Sequence, residues 1–371
     1  MKICIDAMGI EKAGGGRTAT LNLLRPLFNL DRENEYLVAV STYEPLLDTP
    51  AKNVKQWVLP VKNRFIKRIY AQVAFPVKLR DFNLVHFTKN LSLWGPLPPK
   101  VLTVYDVSML KLPEIMPRSD YLYWRVLQKM ALQDVDCVIT ISKNAAQDIA
   151  HFYGVPEKKI RVIYPGIAPH FQPVDPSKRF LVREKYKLPE RYLLHVGRID
   201  PIKNLTMLVQ AYDRLLKRGV YDGKLVLVGE FYKKTPDLNL IPTIKRLGLE
   251  NEVILAGYVP DSDLPAVFSG ADAKVFPSLN EGFGFVPLEA MACGTPVIAS
   301  RSGSLPEVLG DAAVLFNSQD VDMLAVEMER VVTDLNLRQE LREKGLKQAS
   351  KFNWQNTASR TLEVYREFSR K

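Results

Sequence analysis

The chain has 371 residues, 47% of them apolar and 25% charged, and its 51 Lys and Arg against 41 Asp and Glu leave a net charge of +10. That length exceeds one ordinary core and predicts two domains of roughly 150 to 200 residues, while the composition excludes a disordered or fibrous chain. No apolar run approaches the roughly 18 residues that span a bilayer, and Met1 opens into KICIDAMG, which reads as a strand rather than a secretory leader, so a cytoplasmic protein is expected.

The basic excess favours an anionic partner: a phosphorylated small molecule, a phospholipid surface or nucleic acid. Cys4, Cys137 and Cys293 lie in separate apolar segments without metal-like spacing and read as buried, reduced thiols.

In chain order, the first half carries short β-rich runs (KICIDAM, EYLVAVS, VKQWVLPV, NLVHFT, VLTVYD, CVITIS), with helical stretches at Arg17 to Leu30, Pro117 to Leu132 and Lys143 to Phe152. Between the first strand and the first helix lies GIEKAGGGRTAT, where Gly14, Gly15 and Gly16 let backbone amides approach a ligand at a helix N-terminus. The spacing is not the dinucleotide fingerprint, and three glycines also suit a plain turn.

Between Asp48 and Asp81 there is no acidic residue, yet Lys52, Lys55, Lys62, Arg64, Lys67, Arg68, Lys78 and Arg80 fall there. Phe65, Ile66, Ile69, Tyr70, Val73 and Phe75 interleave with them at helical spacing. The segment 62–80 therefore reads either as a helix lying on an anionic membrane surface or as a solvated helix with its apolar face in the core.

The proline-rich YPGIAPHFQPVDPSKRF, Tyr164 to Phe180, reads as an inter-domain linker. Beyond it the strand runs resume: RYLLHVG, KLVLVG, EVILAG, AKVFPS, TPVIAS and AAVLF. Strands alternating with helices predict an α/β chain of two doubly wound parallel sheets, bounded near 1–170 and 171–354, with the last helix, 355–371, returning to the first domain.

In the second half, HVGRIDPIKN places Arg198 and Lys203 directly after a strand, at the edge where doubly wound sheets bind ligands and where both cations suit phosphate oxygens. AKVFPSLNEGFGFVPLEAMACG follows the same logic. Glu281 sits in the loop with Gly282 and Gly284, and Pro287 opens a short helix that Gly294 closes, so Glu289 is expected in the first helical turn. Exposed amides beside the helix dipole suit a diphosphate, and each carboxylate can accept hydrogen bonds from a pair of sugar hydroxyls. Charge compensation at a helix N-terminus also accounts for Glu289, whereas Glu281 in a glycine loop has no such simple structural account.

GRIDPIKNL and the run from LAGYVPDSDL through EGFGFVPLEAMACGTPVIAS to AAVLF resemble the nucleotide-sugar domain of family-four glycosyltransferases. These are retaining enzymes of the GT-B fold, two Rossmann-like domains facing a cleft. The first domain is similar through its Gly-rich loop, VLTVYDVSMLKLPE and CVITISKNAAQDI.

The resemblance implies that Arg198 and Lys203 neutralise a donor diphosphate, that Glu281 holds the donor sugar beside the amides of Phe283 and Gly284, and that Glu289 binds the ribose. It further places Val259 near the base and Gly15 and Gly16 over the donor phosphate, with the acceptor read by the first domain. Many members carry a His-Asp pair where this chain has Tyr105 and Asp106; His86, on a neighbouring strand, is the candidate to compensate for the missing histidine.

No cofactor is expected beyond the nucleotide diphosphate sugar. The pairs Asp134/Asp136, Asp261/Asp263 and Asp320/Asp322 read as caps and turns, and the cations and helix dipole already offset diphosphate charge, so no metal is expected. The resulting expectation is a hexosyltransferase acting on a saccharide or lipid-linked acceptor in envelope glycan synthesis, with GDP-mannose favoured as donor and possible placement on the inner membrane face. The alternatives are a GT-B epimerase or phosphorylase, the latter lacking an identifiable pyridoxal-phosphate lysine, and a nucleic-acid-binding protein, for which no reading motif is seen.

Overall fold

The computed structural model describes residues 1–10, 15–48, 52–61, 63–115 and 118–368, apart from the side chains of Arg64, Phe65, Ser108, Met109 and Ser119. The chain forms two compact units, Met1–Gly166 with Phe352–Lys371, and Ile167–Lys351.

The first unit runs β1 (Lys2–Asp6), α1 (Gly15–Leu30), β2 (Glu35–Val40), β3 (Val54–Val58), α2 (Arg64–Lys78), β4 (Leu84–Phe87), β5 (Lys100–Val104), α3 (Ser108–Lys111), α4 (Arg118–Tyr123), α5 (Lys129–Gln133), β6 (Cys137–Thr140), α6 (Lys143–Tyr153) and β7 (Ile160–Val162). Its seven parallel strands are ordered β3-β2-β1-β4-β5-β6-β7.

The second unit continues with α7 (Pro176–Tyr186), β8 (Tyr192–Val196), α8 (Leu205–Lys217), β9 (Lys224–Val228), α9 (Leu240–Arg246), β10 (Val253–Gly257), α10 (Leu264–Gly270) and β11 (Ala273–Phe276). It ends with α11 (Phe285–Ala292), β12 (Val297–Ser300), α12 (Leu305–Leu309), β13 (Val314–Phe316), α13 (Val321–Thr333) and α14 (Leu335–Ala349). Its six parallel strands are ordered β10-β9-β8-β11-β12-β13. In each sheet the order reverses beside the first strand, β1 against β4 and β8 against β11, and such switch points open a crevice at the strand C-termini.

Apolar strands sandwiched between helix layers explain the near-continuous burial of β4, β5, β6, β8, β11 and β12. On one face of the first sheet, Ala71 and Phe75 of α2, Ala131 and Leu132 of α5, and Ile149 and Tyr153 of α6 share a single core with the strands. The last helix, α15 (Trp354–Glu367), packs against α1 and buries Trp354, Leu362 and Tyr365 in the first unit. It comes so close that a Cβ on Gly166 would lie 2.2 Å from the Trp354 nitrogen, which is why that corner is a glycine.

Three elements differ from the sequence reading. The helix expected over Pro117 to Leu132 is interrupted by a π-helical turn at Trp124–Gln128. Strand β7 was not among the expected strands. The proline-rich linker ends early, because Asp175 caps α7 through Lys178 N (3.0 Å) with Pro176 in the first helical position, and Phe171 is buried against Phe268.

Candidate active site

In the second unit the switch point gathers the side chains that suit a sugar diphosphate. Arg198 follows β8; its half-exposed guanidinium lies over the Tyr232 ring (4.3 Å) and 3.0 Å from the buried Asp200 carboxylate. Asp200 also caps the short turn Pro201–Lys203 by accepting from Lys203 N, so one buried carboxylate sets the positions of both cations. Lys203 reaches across to β11, where its ammonium pairs directly with Glu281 and lies 5.2 Å from the Phe276 ring centre.

Glu281 is held by a scaffold of serines. The Ser278 hydroxyl lies 2.9 Å from Glu281 Oε1, and the Ser278 carbonyl accepts from the Ser300 and Ser302 hydroxyls. Ser304 donates to the Glu281 carbonyl through both its backbone N–H (3.0 Å) and its hydroxyl (3.1 Å). Gly303 (φ +54°) completes the cradle, because a Cβ there would lie 2.2 Å from the Glu281 carbonyl oxygen.

Gly284, left-handed at φ 101°, caps α11, and Phe283 is buried edge-on against Phe285. The helix begins at Phe285, two residues before Pro287, so Glu289 lies in its second turn and not in the first. That displaces it from the end of the dipole and weakens plain charge compensation as its explanation. Glu289 is enclosed by protein while a part of its surface stays open. Burial pushes its carboxyl up to about 8; Asp261 adds to the rise and Lys274 opposes it. Val259 is buried just beyond β10.

The first unit carries the remaining expected residues. Gly15 and Gly16 form the start of α1, whereas Gly14 lies outside the described residues. The Lys89 ammonium donates to the Gly9 carbonyl (2.9 Å), and its stem passes beside Gly16. Tyr105 donates its backbone N–H to Asn90 Oδ1 and hydrogen-bonds through its side chain to Thr20, whose hydroxyl in turn donates to the Gly16 carbonyl. Burial pushes the phenol up to about 12, so Tyr105 acts as a neutral hydrogen-bonding group beside the first turn of α1; the adjacent Asp106 is half-buried.

His86 requires a correction. It is fully buried in β4, one ring nitrogen 2.6 Å from the Tyr365 hydroxyl and the other 2.8 Å from Thr103 Oγ1, and burial pushes it down to about 3. Both nitrogens are occupied inside the core, so it cannot take the place of a sugar-contacting histidine.

Of the three Asp pairs, every member except Asp261, which acts on Glu289, is engaged elsewhere. Lys100 binds Asp134 through its ammonium and Asp136 through its N–H, Asp263 accepts from Lys185 and Tyr186, Asp320 caps α13, and Asp322 pairs with Arg214. Among the described residues no group of three or more His, Cys, Asp or Glu side chains could hold a metal, and all three cysteines are buried and free. An open cavity of about 260 Å³, lined by Arg179, Arg183 and Tyr192 among others, lies at the start of β8, the end remote from the site.

The serine scaffold, Asp200, Tyr232 and a buried pair, His195 and Lys274, were not identified from the sequence. For Lys274 the available signal was a lysine inside an otherwise apolar strand.

Two family models match the chain: Glycosyltransferase Family 4 over residues 13–171 and Glycosyl transferases group 1 over residues 178–348. The chain is 32% identical over 290 residues to O-antigen chain mannosyltransferase B of Escherichia coli, covering 78% of this chain and 76% of that protein. Its fold is similar to that of sucrose-phosphate synthase from Thermosynechococcus elongatus (TM-score 0.78, 23% identity, 100% of both chains). It is also similar to that of Anabaena HepE in complex with UDP-glucose (TM-score 0.76, 19% identity, 99% of this chain and 100% of that one). Two parallel Rossmann-like sheets, matches to family models over both halves and a relative of this similarity together show that the chain belongs to the family-four glycosyltransferases of the GT-B fold.

Proposed function

We propose that this glycosyltransferase is a retaining hexosyltransferase of envelope polysaccharide synthesis. It moves a mannose- or glucose-type hexose from a nucleotide diphosphate sugar to a saccharide or lipid-linked acceptor without a metal. The observation that carries the reading is the Lys203–Glu281 pair on its serine scaffold at the switch point, with Arg198 alongside and the α11 amides behind. Fixed donors aimed at a departing diphosphate stabilise the charge that develops as the glycosidic bond breaks, so Arg198 and Lys203 supply what a divalent ion would otherwise provide. Glu281 then holds the sugar and Glu289 the ribose, while Tyr105 offers a neutral hydroxyl where related enzymes use histidine. That the 32% identical relative is a mannosyltransferase supports a mannose donor, and GDP-mannose is the donor we favour.

Among the described residues no helix is long and apolar enough to cross a membrane. We place the enzyme peripherally on an anionic leaflet through α2, where Ile66, Ile69, Val73 and Val77 form an exposed apolar stripe in a segment without acids. The test of the activity is a panel of nucleotide sugars assayed for nucleoside diphosphate release with and without acceptor and chelator, with the product anomer read by NMR. GDP-mannose turnover with retention, undiminished by chelator, is expected; an inverted product or chelator-abolished turnover refutes the mechanism.

A further inference from the structure

Strands β8 and β9 end side by side, and the loops that leave them are zipped together. Ile199 donates its N–H to the Glu230 carbonyl (2.9 Å), and its own carbonyl accepts the Tyr232 N–H (3.0 Å), which carries the parallel ladder beyond the strands. So close an approach needs Gly229, left-handed at φ +136°, because a Cβ there would collide with the Gly197 carbonyl oxygen. On its other side Tyr232 is fixed by a turn in which its carbonyl accepts the Thr235 N–H (3.2 Å). The backbone thereby sets the half-buried Tyr232 beside Arg198, whose guanidinium carbon lies 4.3 Å from the ring centre, while the Asp200 carboxylate holds the same group from 3.0 Å.

We propose that Tyr232 is a positioning residue for Arg198, its ring supporting the guanidinium in the orientation that meets a donor diphosphate. This rests on the donor-site reading above. The Arg198 side chain is 55% exposed, so the ion pair with Asp200 alone would leave a long side chain free to swing between rotamers. The ring adds a second point of attachment, and two attachments from different loops define where the guanidinium lies. The chemistry of that second attachment matters. Lys203 is held by the Glu281 carboxylate, whose charge opposes an incoming phosphate, whereas an aromatic ring attracts a cation without adding net negative charge. The N–H donors that Asp200 does not engage are then left for phosphate oxygens.

A residue that acts through Arg198 serves the diphosphate and not the base, so its loss should cost the same for different nucleoside diphosphates and nothing once Arg198 is gone. A cation over a ring at a partly exposed site corresponds to about a threefold to fivefold change in affinity. The ring and not the hydroxyl carries the effect, so phenylalanine should restore what leucine loses.

The experiment is calorimetric titration of the full chain with GDP and with UDP, comparing wild type, Y232F, Y232L, R198A and the R198A/Y232L double variant. Leucine keeps apolar bulk at a half-buried loop position, so the Tm of Y232L should be unchanged. The expected result is binding about threefold to fivefold weaker for both nucleotides in Y232L, wild-type affinity in Y232F, and no further weakening when Y232L is added to R198A. Unchanged affinity in Y232L beside a weakened R198A overturns the proposal while leaving the donor site intact. A loss confined to one nucleotide overturns it in favour of a contact to the base, and a lowered Tm with an equal loss in the R198A background overturns it in favour of a packing role. Wild type that binds neither nucleotide, or R198A that binds both as tightly as wild type, overturns the donor-site reading, and this inference with it.

Discussion

Lys203 and Glu281 occupy one another, which bears on how each would serve a donor under the proposed function. Their side chains are only 15% and 17% exposed, so the pair is shielded from solvent and from salt. A nucleoside diphosphate arriving without its sugar must share Lys203 with Glu281, and the carboxylate also repels the incoming phosphates. Lys203→Ala should therefore weaken GDP binding at least about tenfold, whereas Glu281→Ala should leave it unchanged or about fivefold tighter while turnover falls about a hundredfold. Calorimetry and turnover on the two variants check this, and weaker GDP binding by Glu281→Ala would refute the assignment of Glu281 to the sugar. Both residues were legible in the sequence, because a loop after a parallel strand is where ligands bind. Their pairing was not, since it joins segments 78 residues apart. His86 misled for the same reason: its partner Tyr365 is 279 residues away, and nothing local shows that the ring is already satisfied.

At the scale of the element, α2 shows what periodicity can and cannot decide. Helical spacing was readable, but it left open which apolar residues enter the core. The helix turns Ala71 and Phe75 inward and leaves Ile69 and Val73 each 68% exposed and Val77 73% exposed. Two of the expected surface cations are also turned inward: the Lys67 ammonium is buried against Ser41 (2.5 Å), and Arg68 donates to the Ser92 carbonyl (2.8 Å) and faces Asp6. Lys62 and the Arg64 side chain lie outside the described residues. The anionic surface would then be met by Lys78 and Arg80 with the apolar stripe, each cation worth about 1 kcal/mol near an anionic leaflet and each buried methylene about 0.8 kcal/mol. Co-sedimentation with phosphatidylglycerol vesicles at low salt should be lost in an Ile69→Ser, Val73→Ser, Lys78→Glu, Arg80→Glu variant with unchanged Tm, because all four side chains are exposed. Wild type that ignores these vesicles refutes the membrane placement.

For the molecule as a whole, the C-terminal helix is structural to the first unit although it follows the second in sequence. α15 supplies Tyr365 to His86, Thr357 to the Tyr164 carbonyl (2.8 Å) and Trp354 to the corner at Gly166. A chain ending at Lys351 would open the α1 face and leave the buried His86 without one partner, a loss of about 1 to 3 kcal/mol before the apolar area is counted. Truncation should lower the first unit's unfolding temperature by several degrees or more, whereas the second unit, compact over Ile167–Lys351, should unfold as before. Differential scanning calorimetry resolves the two transitions; unaltered traces for the truncated chain would show that α15 contributes no stability.

What the sequence determined by itself is whatever depends on neighbours along the chain: alternating strands and helices, glycine-rich strand-to-helix loops, and the cations and carboxylates placed just after strands. Period, turn chemistry and strand-end position are local properties, and they sufficed for the class of fold and for placing Arg198, Lys203 and Glu281 in loops just after strands, whereas Glu289 lies one turn deeper in its helix than they indicated. Only the tertiary structure decided which groups meet: Lys203 with Glu281, the serines beneath the Glu281 loop, Lys274 and His195 around Phe276, and His86 sealed by α15. Those contacts join segments brought together by sheet order and helix packing, and the cost of a buried charge or the satisfaction of a buried ring depends on what surrounds it in space, not on what precedes it in the chain.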